Sequence, residues 1–453
     1  MNSTIAAIAT PAGRGAIAVV RLSGPDALAL CRRHIPKALQ PRRATFSPFL
    51  VDGKLLDEVV AVYFQAPHSY TGEDVVEISC HGSTYIQQAL LKALVDDGCR
   101  MAEPGEFTRR AFLNKRLNLS QAEAVADLID ATNRGAHRMA VSQLRGGYAA
   151  LLGELRSRFV ELTALLELEL DFSDEEVEFA DRSQLRELLT TLAERCSRLA
   201  GSFSLGNAIR RGVPVAIVGP PNAGKSTLLN RLVGDDRAIV SDLPGTTRDT
   251  VEESVTIDGT AFRFIDTAGI RHSDNRIEQA GIERSYHAAQ QAAVVLYVVD
   301  RSDTATLPQQ LAALAQSVAL DDKQLVVVCN KSDRYHNLPL PAAEGLPTAV
   351  DAILPISAHN GDGIDELRRH IAVRYRCSDD DSEPTVSNLR HYEALTHVVD
   401  ACQRALEALR QQLSADLVAI DLRDALHHLG TITGEVTPDE ILGTIFSRFC
   451  VGK

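Results

Sequence analysis

Val213-Pro214-Val215-Ala216-Ile217-Val218, followed directly by Gly219-Pro220-Pro221-Asn222-Ala223-Gly224-Lys225-Ser226-Thr227, is the stretch on which the reading of this chain turns. The first six residues are an apolar run of strand length, the next eight match G-x-x-x-x-G-K-[ST], and a leucine-rich helical segment follows. Strand, loop and helix therefore stand in the order of a phosphate-binding loop. Its glycines let backbone N–H groups close around phosphates, and the helix turns its positive end toward them. Lys225 neutralises the terminal phosphates and the Ser226 hydroxyl is a ligand for magnesium. The rest of the loop, Asn222, Ala223, Gly224 and Thr227, completes the expected phosphate cradle.

Downstream, apolar runs at 262–265, 294–299, 325–329 and 353–356 alternate with helical segments, which predicts a doubly wound α/β domain. Asp266-Thr267-Ala268-Gly269 follows the first of these runs, where a carboxylate reaches the magnesium shell and a glycine senses the terminal phosphate. Asn330-Lys331-Ser332-Asp333 follows the third and decides the base. A carboxylate at Asp333 accepts from the guanine ring N–H and exocyclic amine, whereas adenine would face it with acceptors. GTP is therefore expected over ATP, with Ser357-Ala358 closing over the guanine.

Between these motifs, Pro244-Gly245-Thr246-Thr247-Arg248-Asp249 offers Thr247 as a second magnesium ligand. The residue after the DTAG glycine is Ile270, which cannot orient the attacking water. Glu278 is a candidate for holding the water through a second molecule, and equally for an exposed helix residue. Arg248 and Arg271 are available, but neither stands out as an arginine finger. Asn222 and the oxygen-rich residues 241–246 instead suggest a monovalent cation as the source of positive charge.

Outside the α/β block the character is different. Residues 1–118 mix short apolar runs, 16–22 and 59–64 among them, with glycine and proline turns, which predicts an α+β domain. Ser120 with Glu123 forms a capping box before apolar residues at helical spacing, so a helix is expected to begin near Leu119. Long helices follow, interrupted by an acidic turn at 171–181, with another helix ending near Gly206. Helical periodicity returns after about Arg374, and Thr437-Pro438-Asp439-Glu440 opens the last helix. The expected organisation is an α+β domain at 1–118, a helical domain made of 119–210 and 374–453, and a P-loop G domain at 211–373 inserted in it.

A net charge of −13 argues against non-specific nucleic-acid binding but leaves an RNA partner undecided. The pairs Arg32/Arg33, Arg42/Arg43 and Arg109/Arg110 with Lys115/Arg116 read by default as solvated faces. No apolar stretch has membrane-spanning length and the N-terminus does not read as a signal peptide, which places the protein in the cytoplasm with no membrane partner. Its eight cysteines, without a CxxC pair, then read as reduced and structural.

The motifs identify a family. Ala9-Thr10-Pro11-Ala12-Gly13-Arg14-Gly15 with Val20-Arg21-Leu22-Ser23-Gly24, then Tyr70-Thr71-Gly72-Glu73-Asp74, Pro104-Gly105-Glu106-Phe107-Thr108 and the C-terminal Cys450-Val451-Gly452-Lys453 surround the GTPase motifs. In that order they resemble the MnmE/TrmE tRNA-uridine-modifying GTPases over essentially the full length. The resemblance implies a homodimer with a folate-binding, dimer-forming N-terminal domain. It implies potassium held by Asn222, the Ser241 and Thr246 side chains and the Leu243 backbone. Thr247 joins Ser226 on magnesium, and Glu278 matches the water-orienting glutamate. Folate contacts carry over to Arg21, Glu77, Arg116 and Lys453, with 5-formyl- or methylene-tetrahydrofolate as the one-carbon carrier, and Cys450 matches a functional cysteine. An MnmG/GidA-type flavoprotein and tRNA are the implied partners in modifying the wobble uridine. An RNA-bound assembly switch is the rival reading, and the N-terminal segments and CxGK tail speak against it.

Overall fold

A computed structural model of the chain describes residues 3–171, 182–234, 253–265, 278–342, 346, 350–375, 384–436, 439–447 and 449–452. They divide into two compact units, one of Met1–Ala126, Gln143–Ala193 and His397–Lys453, the other of Asp127–Ser142 and Glu194–Thr396.

In the first unit, β1 (Ile5–Ile8), β2 (Ile17–Ser23), β3 (Thr45–Val51), β4 (Lys54–Phe64), β5 (Val75–His81) and β6 (Arg100–Met101) form one sheet in the order β3-β4-β5-β2-β1-β6. Only the β1–β6 pairing is parallel. Side chains alternate across a strand. Val20 and Leu22, Val76 and Ile78, and Val59 and Ala61 therefore enter one core with Cys31 of α1 (Ala27–His34) and Leu90 and Leu94 of α2 (Thr84–Asp96). The residues between them, including Arg21, Glu77 and Val62, belong to the opposite face. The β3–β4 hairpin turns on Asp52 and Gly53, both with positive φ (50° and 73°), which gives β4 five more residues than the apolar run at 59–64 announced.

After α3 (Glu106–Leu113), α4 (Leu119–Asp130) starts where helical spacing put it, but a different pair caps it. Asn118 Oδ1 accepts from the Gln121 N–H at 2.9 Å while Gln121 Oε1 accepts from the Asn118 N–H at 3.1 Å. This reciprocal box sits two residues ahead of the expected Ser120/Glu123 pair; Ser120 instead donates to Asn118 Oδ1. The helices α5 (Arg134–Leu144) and α6 (Gly147–Asp171) come next. In the first unit α6 runs along the helix Ala415–Thr433, with an Arg423–Glu167 ion pair of 2.7 Å between them. Leu442 and Phe446 of the helix Asp439–Phe446, with Phe449, close an apolar cluster around Leu119 and Ala122. The helix expected to end near Gly206 is two helices, α7 (Arg182–Gly201) and α8 (Phe203–Arg211). Most of the acidic stretch and residues 437–438 lie outside the described residues.

The second unit is built on β7 (Val213–Val218), β8 (Glu253–Ile257), β9 (Thr260–Phe264), β10 (Val294–Asp300), β11 (Gln324–Asn330) and β12 (Ala352–Pro355), in the order β12-β11-β10-β7-β9-β8. All neighbours are parallel except the β8–β9 hairpin. Val215 and Ile217 pack with leucines of α9 (Lys225–Gly234) on one face. Ala216 and Val218 pack with the helices Glu278–Gln291 and Leu307–Ser317 on the other. Burial on both faces is why these strands read as continuous apolar runs. The strand order reverses beside β7, and a ligand crevice belongs at the carboxyl end of such a switch point.

Candidate functional site

The loop leaving β7 at that point is fixed by glycines. At Gly219 φ is +138° and a Cβ would stand 2.1 Å from the Val298 carbonyl oxygen; at Gly224 φ is +96° and a Cβ would stand 2.2 Å from Asn330 Nδ2. No side chain fits either position, so the backbone amides stay accessible to a phosphate. Asn222 takes φ +58°, a conformation asparagine tolerates better than most residues. Lys225 opens α9 and its Nζ donates to the Gly219 and Pro220 carbonyls, both at 2.7 Å. Burial pushes its pKa down, and a phosphate beside it would push it back up.

Asn330, buried at the end of β11, joins three loops. Its Nδ2 donates to the Ala223 carbonyl at 2.8 Å, and its Oδ1 accepts from the Ala358 N–H at 3.0 Å. Lys331, at φ +64°, pairs through Nζ with Asp300 at 2.7 Å. Asp333 is exposed and receives a 2.7 Å hydrogen bond from the fully buried Ser357 hydroxyl. That bond, foremost among several influences, holds the Asp333 carboxyl below the usual range. The result is an ionised acceptor aimed from a rigid loop, suited to the paired N–H groups of guanine.

Ser226 and Thr227 follow Lys225 in the first turn of α9. The oxygen donors on the described side of the site are the Ser226 hydroxyl and the Asn222 side-chain carbonyl, hard ligands that fit magnesium and a monovalent cation. Among the described residues no cluster of three His, Cys, Asp or Glu forms a metal centre of another kind. Ser241, Leu243, Gly245, Thr246, Thr247, Asp266, Thr267, Ala268, Gly269 and Lys453 lie outside the described residues. Glu278 is the first residue of its helix, and its side chain lies outside them too.

A second constellation stands on the N-terminal sheet, on the face opposite the core. Arg21 on β2, Glu77 on β5 and Val62 on β4 are cross-strand partners. Arg21 pairs with Glu77 at 2.7 Å and lies between the Tyr70 and Phe107 rings, 5.7 and 5.6 Å from their centroids. It also donates to the Gly452 carbonyl at 3.3 Å. The tail is seated closely: Gly452 has φ +100° and a Cβ there would stand 2.4 Å from the Ile8 carbonyl oxygen. Cys450 is exposed while the six other described cysteines are buried. Arg116 packs against Gly72 and lines an open recess with Tyr70.

Two family models match the chain. A model described as the TrmE N-terminus of a GTP-binding protein matches residues 4–116, and one described as the MnmE helical domain matches residues 119–450. The chain belongs to the MnmE/TrmE family of tRNA modification GTPases. Relatives named tRNA modification GTPase MnmE include those of Parabacteroides distasonis, 48% identical over all of both chains, and Christiangramia forsetii, 45% identical over all of both. That of Salinibacter ruber is 46% identical over all of this chain and 99% of its own. Among solved structures, the G domain of the T. maritima FeoB iron transporter aligns with 36% of this chain and 99% of its own at 24% identity. Its TM-score of 0.26 is too low to add to the assignment.

For this MnmE/TrmE chain the family resemblance implied Arg21, Glu77 and Arg116 as folate contacts but not the aromatic pair around Arg21. Tyr70 and Phe107 lay inside two of the segments that carried the resemblance, yet only the folded sheet sets them across from Arg21. The solvated-face reading of Arg109/Arg110 fails at Arg110, which is 1% exposed and paired with Glu73 and Glu106, both at 3.0 Å. Among the described residues no helix is long and apolar enough to cross a membrane.

Proposed function

We propose that the chain is a potassium-dependent GTP hydrolase of the cytoplasm. It would act as a homodimer with an MnmG/GidA-type flavoprotein to install a carboxymethylaminomethyl-type group on the tRNA wobble uridine, drawing carbon from a tetrahydrofolate. In this reading residues 1–118 bind folate and dimerise, and the G domain, 211–373, interrupts a helical domain of 119–210 and 374–453.

The observation that carries the reading is the Asn330 junction, where one buried amide ties the phosphate loop to the loops bearing Asp333 and Ser357. Asp333 selects guanine, and Lys225 applies its remaining N–H to the terminal phosphates. Ser226 and Thr247 would hold magnesium, and Asn222, Ser241, Leu243 and Thr246 would hold potassium, each ion supplying positive charge against the phosphates when bound. Glu278 orients the water. Arg21, held by Glu77, and Arg116 present cations to the folate, with Lys453 joining them from the tail, and the exposed Cys450 lies beside that site. GTP turnover drives the dimer between states and contributes no atom to the tRNA.

The test is reconstitution: wobble-uridine modification measured with this protein, its flavoprotein partner, GTP, methylene-tetrahydrofolate and potassium, omitting each in turn. Product should vanish with each omission. Full modification without GTP or without the folate would overturn the proposal.

A further inference from the structure

We infer that Arg42, Arg116 and His68 form an anion subsite for the carboxylates of an oligo-γ-glutamyl tail on the folate. The inference rests on the folate reading above and extends it to the form of the carrier.

The recess that Arg116 lines has a volume of about 680 Å³, within the range of small-molecule pockets. Val62 and Phe64 of β4 give it an apolar floor, and Tyr70 forms a wall shared with Arg21. Its floor continues the cross-strand row Arg21, Glu77, Val62. A ligand anchored at Arg21 therefore extends along that row into the recess.

The recess is cationic. Arg42, Arg116 and His68 line it, and no described lining residue carries a carboxylate. Among the described residues none of these three side chains makes an ion pair or hydrogen bond. Arg42 is also held in an unusual way: its φ is +59° and its N–H donates to the Tyr63 carbonyl at 2.7 Å. A non-glycine residue in that conformation is uncommon and costs energy, and here it brings a guanidinium to the edge of the floor. Each guanidinium can pair with a carboxylate through two parallel N–H···O bonds, so two arginines suit a flexible chain that carries several carboxylates. The Arg42/Arg43 pair, a solvated face by sequence, thus contributes Arg42 to a site.

The experiment is calorimetry on the full-length protein with monoglutamyl and pentaglutamyl 5-formyl-tetrahydrofolate. The pentaglutamyl form should bind roughly three- to tenfold more tightly, as expected of a few solvent-exposed charge pairs. The preference should shrink as salt rises. Arg42→Gln should bring the ratio toward one while leaving monoglutamyl affinity within about twofold. Equal affinities in the wild type, or an unchanged ratio in Arg42→Gln, would overturn the subsite and leave the folate reading intact. Failure of both forms to bind would overturn both. Displacement of the pentaglutamyl form by equimolar pyrophosphate, with no effect on the monoglutamyl form, would reassign the recess to phosphate and overturn the inference.

Discussion

The Asn330 side chain donates to the Ala223 carbonyl across 2.8 Å while accepting from the Ala358 N–H at 3.0 Å, so one buried amide sets the spacing between phosphate loop and base loop. Asn330→Ala leaves two backbone groups without that partner, at about 1–3 kcal/mol for each such loss. GTP and GDP affinity should fall roughly five- to hundredfold together, with the melting temperature also lowered. Titration with a fluorescent guanine nucleotide checks it; unchanged affinity would separate the two loops energetically.

Asp333 should lose its acceptor only below the ordinary carboxylate range. The Ser357 hydrogen bond lowers its carboxyl pKa, so guanine binding is present above that value and lost as pH falls through it. Ser357→Ala removes the bond, raises the pKa and moves the loss to higher pH. A Kd profile for GDP against pH, wild type beside variant, decides it, and superimposable acid limbs would contradict the assignment.

Glu278→Ala should retain GTP affinity and lose hydrolysis by about a hundredfold or more, as removal of a water-positioning group does. Sodium in place of potassium should slow wild-type turnover strongly. Near-normal phosphate release in the variant would return Glu278 to an ordinary helix position.

Gly452→Ala places a Cβ against the Ile8 carbonyl in a backbone conformation that side chains avoid. The strain, about 1–3 kcal/mol, is relieved most simply by undocking the tail. Hydrogen exchange at 449–452 should accelerate and folate affinity should drop, while GTP affinity stays. Unaltered exchange would show that the tail accommodates the methyl group.

Asn118→Ala deletes one half of the capping box at the start of α4 and should destabilise the protein by about 1 kcal/mol. Ser120→Ala should cost less, since Ser120 bonds the cap and not the backbone. Urea melts of the two variants test the order.

The G domain was legible because its strands are buried on both faces and its loops carry glycines that nothing else can replace. Among the described strands of this unit only β8, Glu253–Ile257, escaped notice, a short strand with Ser254 and Thr256 among its residues. The N-terminal sheet was harder. Its strands alternate, and the Asp52-Gly53 turn that extends β4 is a hairpin signal which an apolar-run reading passes over. Arg110 shows a deeper limit: a buried arginine and a solvated one look alike until Glu73, far away in sequence, is known to face it. The α4 cap was misplaced because serine and asparagine are both good caps, and two nearby candidates compete.

Arg21 and Gly452 are separated by 431 positions. At common translation speeds the guanidinium leaves the ribosome on the order of a minute before the glycine that will meet it. A nascent polypeptide can therefore assemble its first sheet early, yet Arg21 waits for residue 452 before its hydrogen bond to that carbonyl can form. A variant lacking residues 450–452 would fold that sheet and leave the Arg21 guanidinium without its Gly452 partner.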